Sequence, residues 1–386
     1  MRYLPIMLVA LMGCIEPYST DFPFFPGDVV VIDGRLDATA RSITVKLSRP
    51  QAINDEAAPP IVPGADVALI GSRGLHLNLI EERPGIYSTT NVPVNYDEKY
   101  NLDVTLNDGR KFISDPVEVL RTPQIDLVTY DFTNDERGIE ILLNTHDESG
   151  KAKYFGWDYV ETYEYTSLFE SHFTFINKIP EKRAQEDQVY RCWRTAPSFS
   201  IGIATTRDLT ASTVYRYPVL SIPGGSLKLS IRYSVLINQR VISPEEFIYL
   251  KEMKKTTEQL GDFFGPLPTT APGNFHEVGN ASSTVLGFFS ASEITKKRIF
   301  INYKDLPETL QIPQGFGSCQ AELTCDQNPN RKRTGPESCL NPEILTSTTV
   351  ILDRITHLDS IFYSYTKREC ADCRSHGGVT TKPDFW

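Results

Sequence analysis

The chain has 386 residues, with 49 acidic against 39 basic side chains and a net charge of −10. That balance excludes a nucleic-acid binder, which needs a basic surface to neutralise phosphates. Apolar residues make up 40% and aromatic residues 11%, enough to fill real cores, and plentiful Tyr and Phe punctuated by 26 Pro and 24 Gly make the composition β-rich.

The chain begins like an export signal. Arg2 supplies the positive start and a short apolar run reaches Met12. The run is too short to span a bilayer, which takes about 20 apolar residues. Leu11-Met12-Gly13-Cys14 resembles a bacterial lipobox, with an apolar residue three before the Cys and a small one beside it. The expectation is a signal peptide over 1–13, cleavage before Cys14, and acylation of Cys14 on sulfur and amine. A buried N-terminal strand is the competing reading. Each buried CH₂ of an acyl chain contributes about 0.8 kcal/mol, so several chains anchor firmly. Ile15 follows Cys14, so the Asp that retains enteric lipoproteins in the inner membrane is absent. The outer membrane is therefore the expected address, facing either the periplasm or the cell surface. Residues 14–27 read as a lipidated tether, because their prolines break regular structure.

Residues 28–120 predict a small immunoglobulin-like β-sandwich. "VVVIDGRL" is a strand, and "SITVKLS" alternates with Ile43, Val45 and Leu47 on one face. "GADVALIGS", "LHLNLIEE" and "GIYST" follow at short spacing. Asp108-Gly109 between alternating runs signals a hairpin. The piece from Val62 to Val67, "VPGADV", is similar to carboxypeptidase-regulatory-like and transthyretin-like sandwiches.

"LRTPQID" marks a boundary, and 121–386 predicts a larger β-rich domain with strands over 125–132, 138–146, 153–165, 227–242, 285–291, 298–303 and 348–366. One amphipathic helix is expected near 244–260. Ser243 is its N-cap, Pro244 its first residue, and Glu246 completes a capping box. Phe247, Leu250, Met253, Thr257 and Leu260 form its apolar stripe. Residues 313–342 are poor in apolar side chains and read as a disulfide-tied loop. Its Arg331-Lys332-Arg333 is a solvated triplet or a contact for membrane phosphates.

Six cysteines besides Cys14 are an even number in an exported chain and suggest disulfides: Cys192, Cys319, Cys325, Cys339, Cys370 and Cys373. Fifteen pairings are open. The CxxC of Cys370 and Cys373 also admits a zinc site or a redox pair. Zinc usually takes a second CxxC or added His, and a thioredoxin-type motif needs a βαβ unit. The six histidines share no metal-ligand spacing, and no nucleophile elbow, P-loop or dinucleotide fingerprint occurs. No catalytic residue, cofactor or metal site is assigned, and the chain reads as a non-enzyme. In "YFGWDYVETYEY" a strand would put Phe155, Trp157, Tyr159, Tyr163 and Tyr165 on one face. Such a ladder either fills a core or offers rings for a sugar or partner to stack on. The closing Phe385-Trp386 is expected to dock into the domain or into a partner.

Several stretches together resemble an uncharacterised family of Bacteroidota outer-membrane lipoproteins. They include the lipobox with "EPY", "VVVIDGRL", "VKLSRPQAI", "PGADVALI", "SDPVEVLRTPQID", the helix from Ser243, "LGFFSASEITKKRIFI" and the ending "CADCRSHGGVTTKPDFW". The genes of that family typically lie beside TonB-dependent receptors. The resemblance implies an accessory subunit or lid of such a transporter or of another outer-membrane barrel complex. A surface ligand-binding or adhesion module using the 154–165 aromatics is the alternative.

Overall fold

Along Ser42–Ser48, Ile43, Val45 and Leu47 are each at most 1% exposed while the residues between them face outward. Period-two patterning of this kind recurs throughout the chain and makes the architecture mostly β. The computed structural model describes residues 29–50, 59–133, 137–176, 179–198, 200–258, 273–310, 319–324, 348–358 and 360–386. The tether, Cys14, Cys325, Cys339 and the basic triplet lie outside them. Among the described residues no helix is long and apolar enough to cross a membrane.

Two sheets form the first sandwich. One runs in the order Val285–Leu286, Val30–Asp37, Ser42–Ser48, Ile86–Thr90, Ile80–Arg83, with Phe289–Ser292 also on Val30–Asp37. The other runs Phe275–Glu277, Lys111–Ser114, Lys99–Thr105, Asp66–Gly71, His76–Asn78. Ile32, Leu36, Leu69, Tyr87, Tyr100, Leu102, Phe112 and Phe289 fill the space between them. "LHLNLIEE" is one strand by pattern but two in the fold. It switches sheets at Leu79, whose N–H bonds Val67 O. Asp108 and Gly109 (φ +87°) form the turn between Lys99–Thr105 and Lys111–Ser114.

The sandwich takes segments from far along the chain. Val285 and Phe289 pair in parallel with Val30 and Gly34. The expected strand over 285–291 is broken at Gly287, where φ is +111° and a Cβ would press into the Ile32 carbonyl. Only glycine permits that approach.

The second unit packs a three-stranded sheet (Ile125–Phe132, Gly138–His146, Thr213–Pro223) on a larger one. The larger sheet runs Arg191–Pro197, Tyr154–Thr166, Arg232–Val241, Thr295–Asn302, with Gly202–Thr205 also on Tyr154–Thr166. The expected strand over 227–242 begins instead with a 3₁₀ turn, Leu227–Leu229, and that over 348–366 is a hairpin, Thr349–His357 with Ser360–Lys367. Leu358 at φ +51° turns its tip.

The helix Pro244–Glu258 starts where the capping pattern puts it, with Ser243 Oγ accepting from Glu246 N at 3.0 Å. The reciprocal half of the box is absent, because the Glu246 carboxylate turns to Arg240 in a buried ion pair. Phe247 packs on Tyr154, while Met253 stays 40% exposed. Leu260 lies outside the described residues.

Candidate binding face and the disulfide-bonded end

Tyr154–Thr166 is the central strand of the larger sheet, and its two faces differ. Its odd positions point into the core. Phe155 and Tyr165 are fully buried, Trp157 is 5% and Tyr163 7% exposed, and Tyr159 packs partly buried against them. Trp157 stacks on Tyr217 at 4.3 Å and its indole donates to Gln239 Oε1. Burial and the neighbouring Tyr163 push the Tyr165 phenol up to about 12. The predicted aromatic ladder therefore shares one face, and that face is interior. A sugar has no open ring there to stack on.

The even positions make the opposite face, which the aromatic pattern hides. Register sets four rows across it. Asp158 faces Asn238 and then Lys296; Val160 faces Leu236 and then Arg298; Thr162 faces Ser234 and then Phe300; Glu164 faces Arg232 and then Asn302. Trp193 adjoins Glu164 from the other side. Side chains in one row stand about 4.8 Å apart. The signal in sequence is the polar alternation of Asp158, Thr162 and Glu164 with Arg232, Ser234, Asn238 and Arg240, which a search for aromatic ladders passes over.

One end of the face meets the first sandwich. Arg35 donates to Asp158 Oδ2 at 2.9 Å and Asn238 to Asp158 Oδ1 at 2.6 Å. Burial opposes the charge on Arg35, but Asp158 and Asp33 outweigh it and raise its pKa. Beside this junction lies an open cleft of ≈ 740 Å³ whose lining includes Asp37, Tyr96, Gln124, Glu293 and Lys296. Tyr96 donates to Glu293 at 2.6 Å, and Arg121 lies 4.1 Å over its ring.

The other end is closed by the last residues. Val379 bridges Trp193 through both backbone bonds. Trp386 Nε1 then donates to Glu164 Oε2 at 2.9 Å and its ring meets Phe300 edge-on. Arg298 lies 3.7 Å over Phe385, and Arg232 sits over both Phe300 and Trp386. The closing aromatic pair thus docks into the domain.

Two disulfides fix this end. Cys192 on Arg191–Pro197 bonds Cys373, and Cys319 bonds Cys370. The two cysteines of the CxxC therefore bond different partners rather than each other as a redox pair would, and four of the thiols a zinc site would need are occupied. No cluster of metal-ligating side chains occurs among the described residues. Between the two cysteines, the buried Asp372 accepts a two-pronged pair of bonds from Arg374 at 2.8 Å each.

Fold and site define a disulfide-bonded β-sandwich protein with one polar, partly self-covered sheet face. The chain belongs to the family described as Domain of unknown function (DUF4249), which matches residues 15–298. The match stops within Thr295–Asn302, so Cys192 lies inside it while Cys319, Cys370, Cys373 and the docked tail lie beyond it. No curated protein matches the chain.

Proposed function

We propose that the protein is a lipid-anchored accessory protein of the bacterial outer membrane, working by binding as a subunit or lid of a TonB-dependent transporter or another barrel complex. The observation that carries this reading is the pair of disulfides. Structural disulfides persist in oxidising compartments, so they support an exported chain. The lipobox-like Leu11–Cys14 supports an anchor on that side of the membrane. An anchor raises the effective concentration of a membrane partner, so a modest interface suffices.

The test is fatty-acid labelling and fractionation of wild type and Cys14→Ser, followed by gentle crosslinking and copurification from solubilised outer membranes. Label on Cys14 and a barrel protein in the wild-type complex are expected. An unlabelled wild type, or one that always runs alone, overturns the reading.

A further inference from the structure

The row Trp193–Glu164–Arg232 is only half satisfied. Glu164, 6% exposed, accepts from Trp386 Nε1 and pairs with Arg191 at 3.2 Å. On either side of it, two buried donors have no partner among the described residues: Trp193 Nε1 and Arg232 Nε. Trp193 itself is only 9% exposed. Buried donors are nearly always bonded. A plug shaped purely for stability would supply acceptors, and the side chains of Phe385 and Trp386 supply rings and one more donor. The acid next to those rings, Asp384, is exposed. Phe385 itself is still 44% exposed. The tail therefore meets the aromatic and guanidinium part of the surface and leaves its need for acceptors unmet.

We infer that the surface formed by Trp193, Glu164, Arg232, Arg298 and Phe300 is a recognition site for an extended peptide segment bearing an acidic side chain beside aromatic ones, and that Phe385-Trp386 occupies it in cis. Guanidinium planes take aromatic faces, as Arg298 and Arg232 already do. An acid released into the row would accept from Arg232 Nε in a charge-assisted bond. A tethered tail competes at an effective concentration in the millimolar range, so an outside peptide binds poorly until the tail lifts.

The test uses the full chain with Phe385→Ala and Trp386→Ala, and an acetylated peptide carrying residues 380–386 as probe. Calorimetry should find the double variant folded and binding the peptide with Kd below about 0.1 mM, and wild type at least about 10-fold weaker. Adding Arg232→Ala should weaken binding about 10-fold or more, as should placing Lys at the peptide's Asp384 position. A folded double variant that binds no peptide, equal binding by wild type, or indifference to either change overturns the inference. So does unfolding of the double variant, because the tail would then be part of the core. None of these readouts depends on a lipid anchor or a barrel partner.

Discussion

Lys228 closes on Glu161 with its Nζ 2.8 and 2.9 Å from the two carboxylate oxygens, at the edge of a core in which Glu161 is 7% exposed. Tyr233 Oη donates to the same carboxylate at 2.7 Å, and burial with that neighbouring charge raises the Tyr233 pKa. Glu161 is the polar exception on the aromatic side of the central strand, so its partners decide whether the core tolerates it. Lys228→Met strands a buried charge. Because Lys228 is 36% exposed, water offsets part of the loss, and about 1–3 kcal/mol of destabilisation is expected. Urea midpoints read this, and a Glu161→Gln/Lys228→Met pair should recover part of it.

The two disulfides close sequence separations of 181 and 51 residues. Constraint on the unfolded chain grows slowly with loop length, and native disulfides contribute about 2–5 kcal/mol. Cys192→Ala/Cys373→Ala should therefore cost somewhat more than Cys319→Ala/Cys370→Ala in guanidinium unfolding. Non-reducing peptide maps should recover Cys373 joined to Cys192. A Cys370–Cys373 link would contradict the arrangement.

Gly378 lies where the tail passes over the first disulfide. A Cβ there would come within 2.8 Å of Cys192 Cβ and nearer still to Tyr165 Oη. Neither neighbour has room to retreat, since Tyr165 is fully buried and donates to Cys373 O. Gly378→Ala should destabilise by about 1–3 kcal/mol, the usual cost of overpacking. Hydrogen exchange should show faster opening of the Trp193–Val379 bridge in the variant.

Acid should loosen the same end. Burial pushes the Asp372 carboxyl up, and the hydrogen bonds and charge of Arg374 pull it down further, so its pKa lies below the ordinary 3.8. A lowered carboxylate pKa stabilises the fold above the unfolded value and loses that contribution as pH falls through the folded one. Thermal midpoints should drop below about pH 4, and Asp372→Asn should show a shallower drop from a lower starting stability. A wild-type midpoint flat from pH 5 to 2 would count against the Asp372–Arg374 contact.

Elements with strict alternation are readable from the chain. Ser42–Ser48 lies where its alternation puts it, Ile125–Phe132 and Gly138–His146 lie where they are expected although bulges break their alternation, and Ser243-Pro244 marks the helix start. What the pattern misses depends on contacts made elsewhere. Leu79 is apolar in a continuous run, and only the presence of two sheets explains why the strand divides there. Gly287 gives no hint that the Ile32 backbone lies against it. The aromatic ladder does gather on one face. Period two alone cannot say which face is interior, because Trp and Tyr suit both cores and binding surfaces. The opposite face shows in the sequence only as a polar alternation, because Glu164, Arg232 and Arg298 converge only through strand register.

The pairing of Val30–Asp37 with Val285–Leu286 and Phe289–Ser292 also sets a timetable for folding. The opening strand must wait for partners some 250 positions later. Synthesis at roughly 5–20 residues per second makes that delay on the order of 10–50 s. Throughout it, the Val30–Asp37 edge and the apolar face behind it stay uncovered, and pairing of high contact order is slow even once the partners arrive. In a chain built this way the early sandwich is where synthesis leaves it most exposed to aggregation.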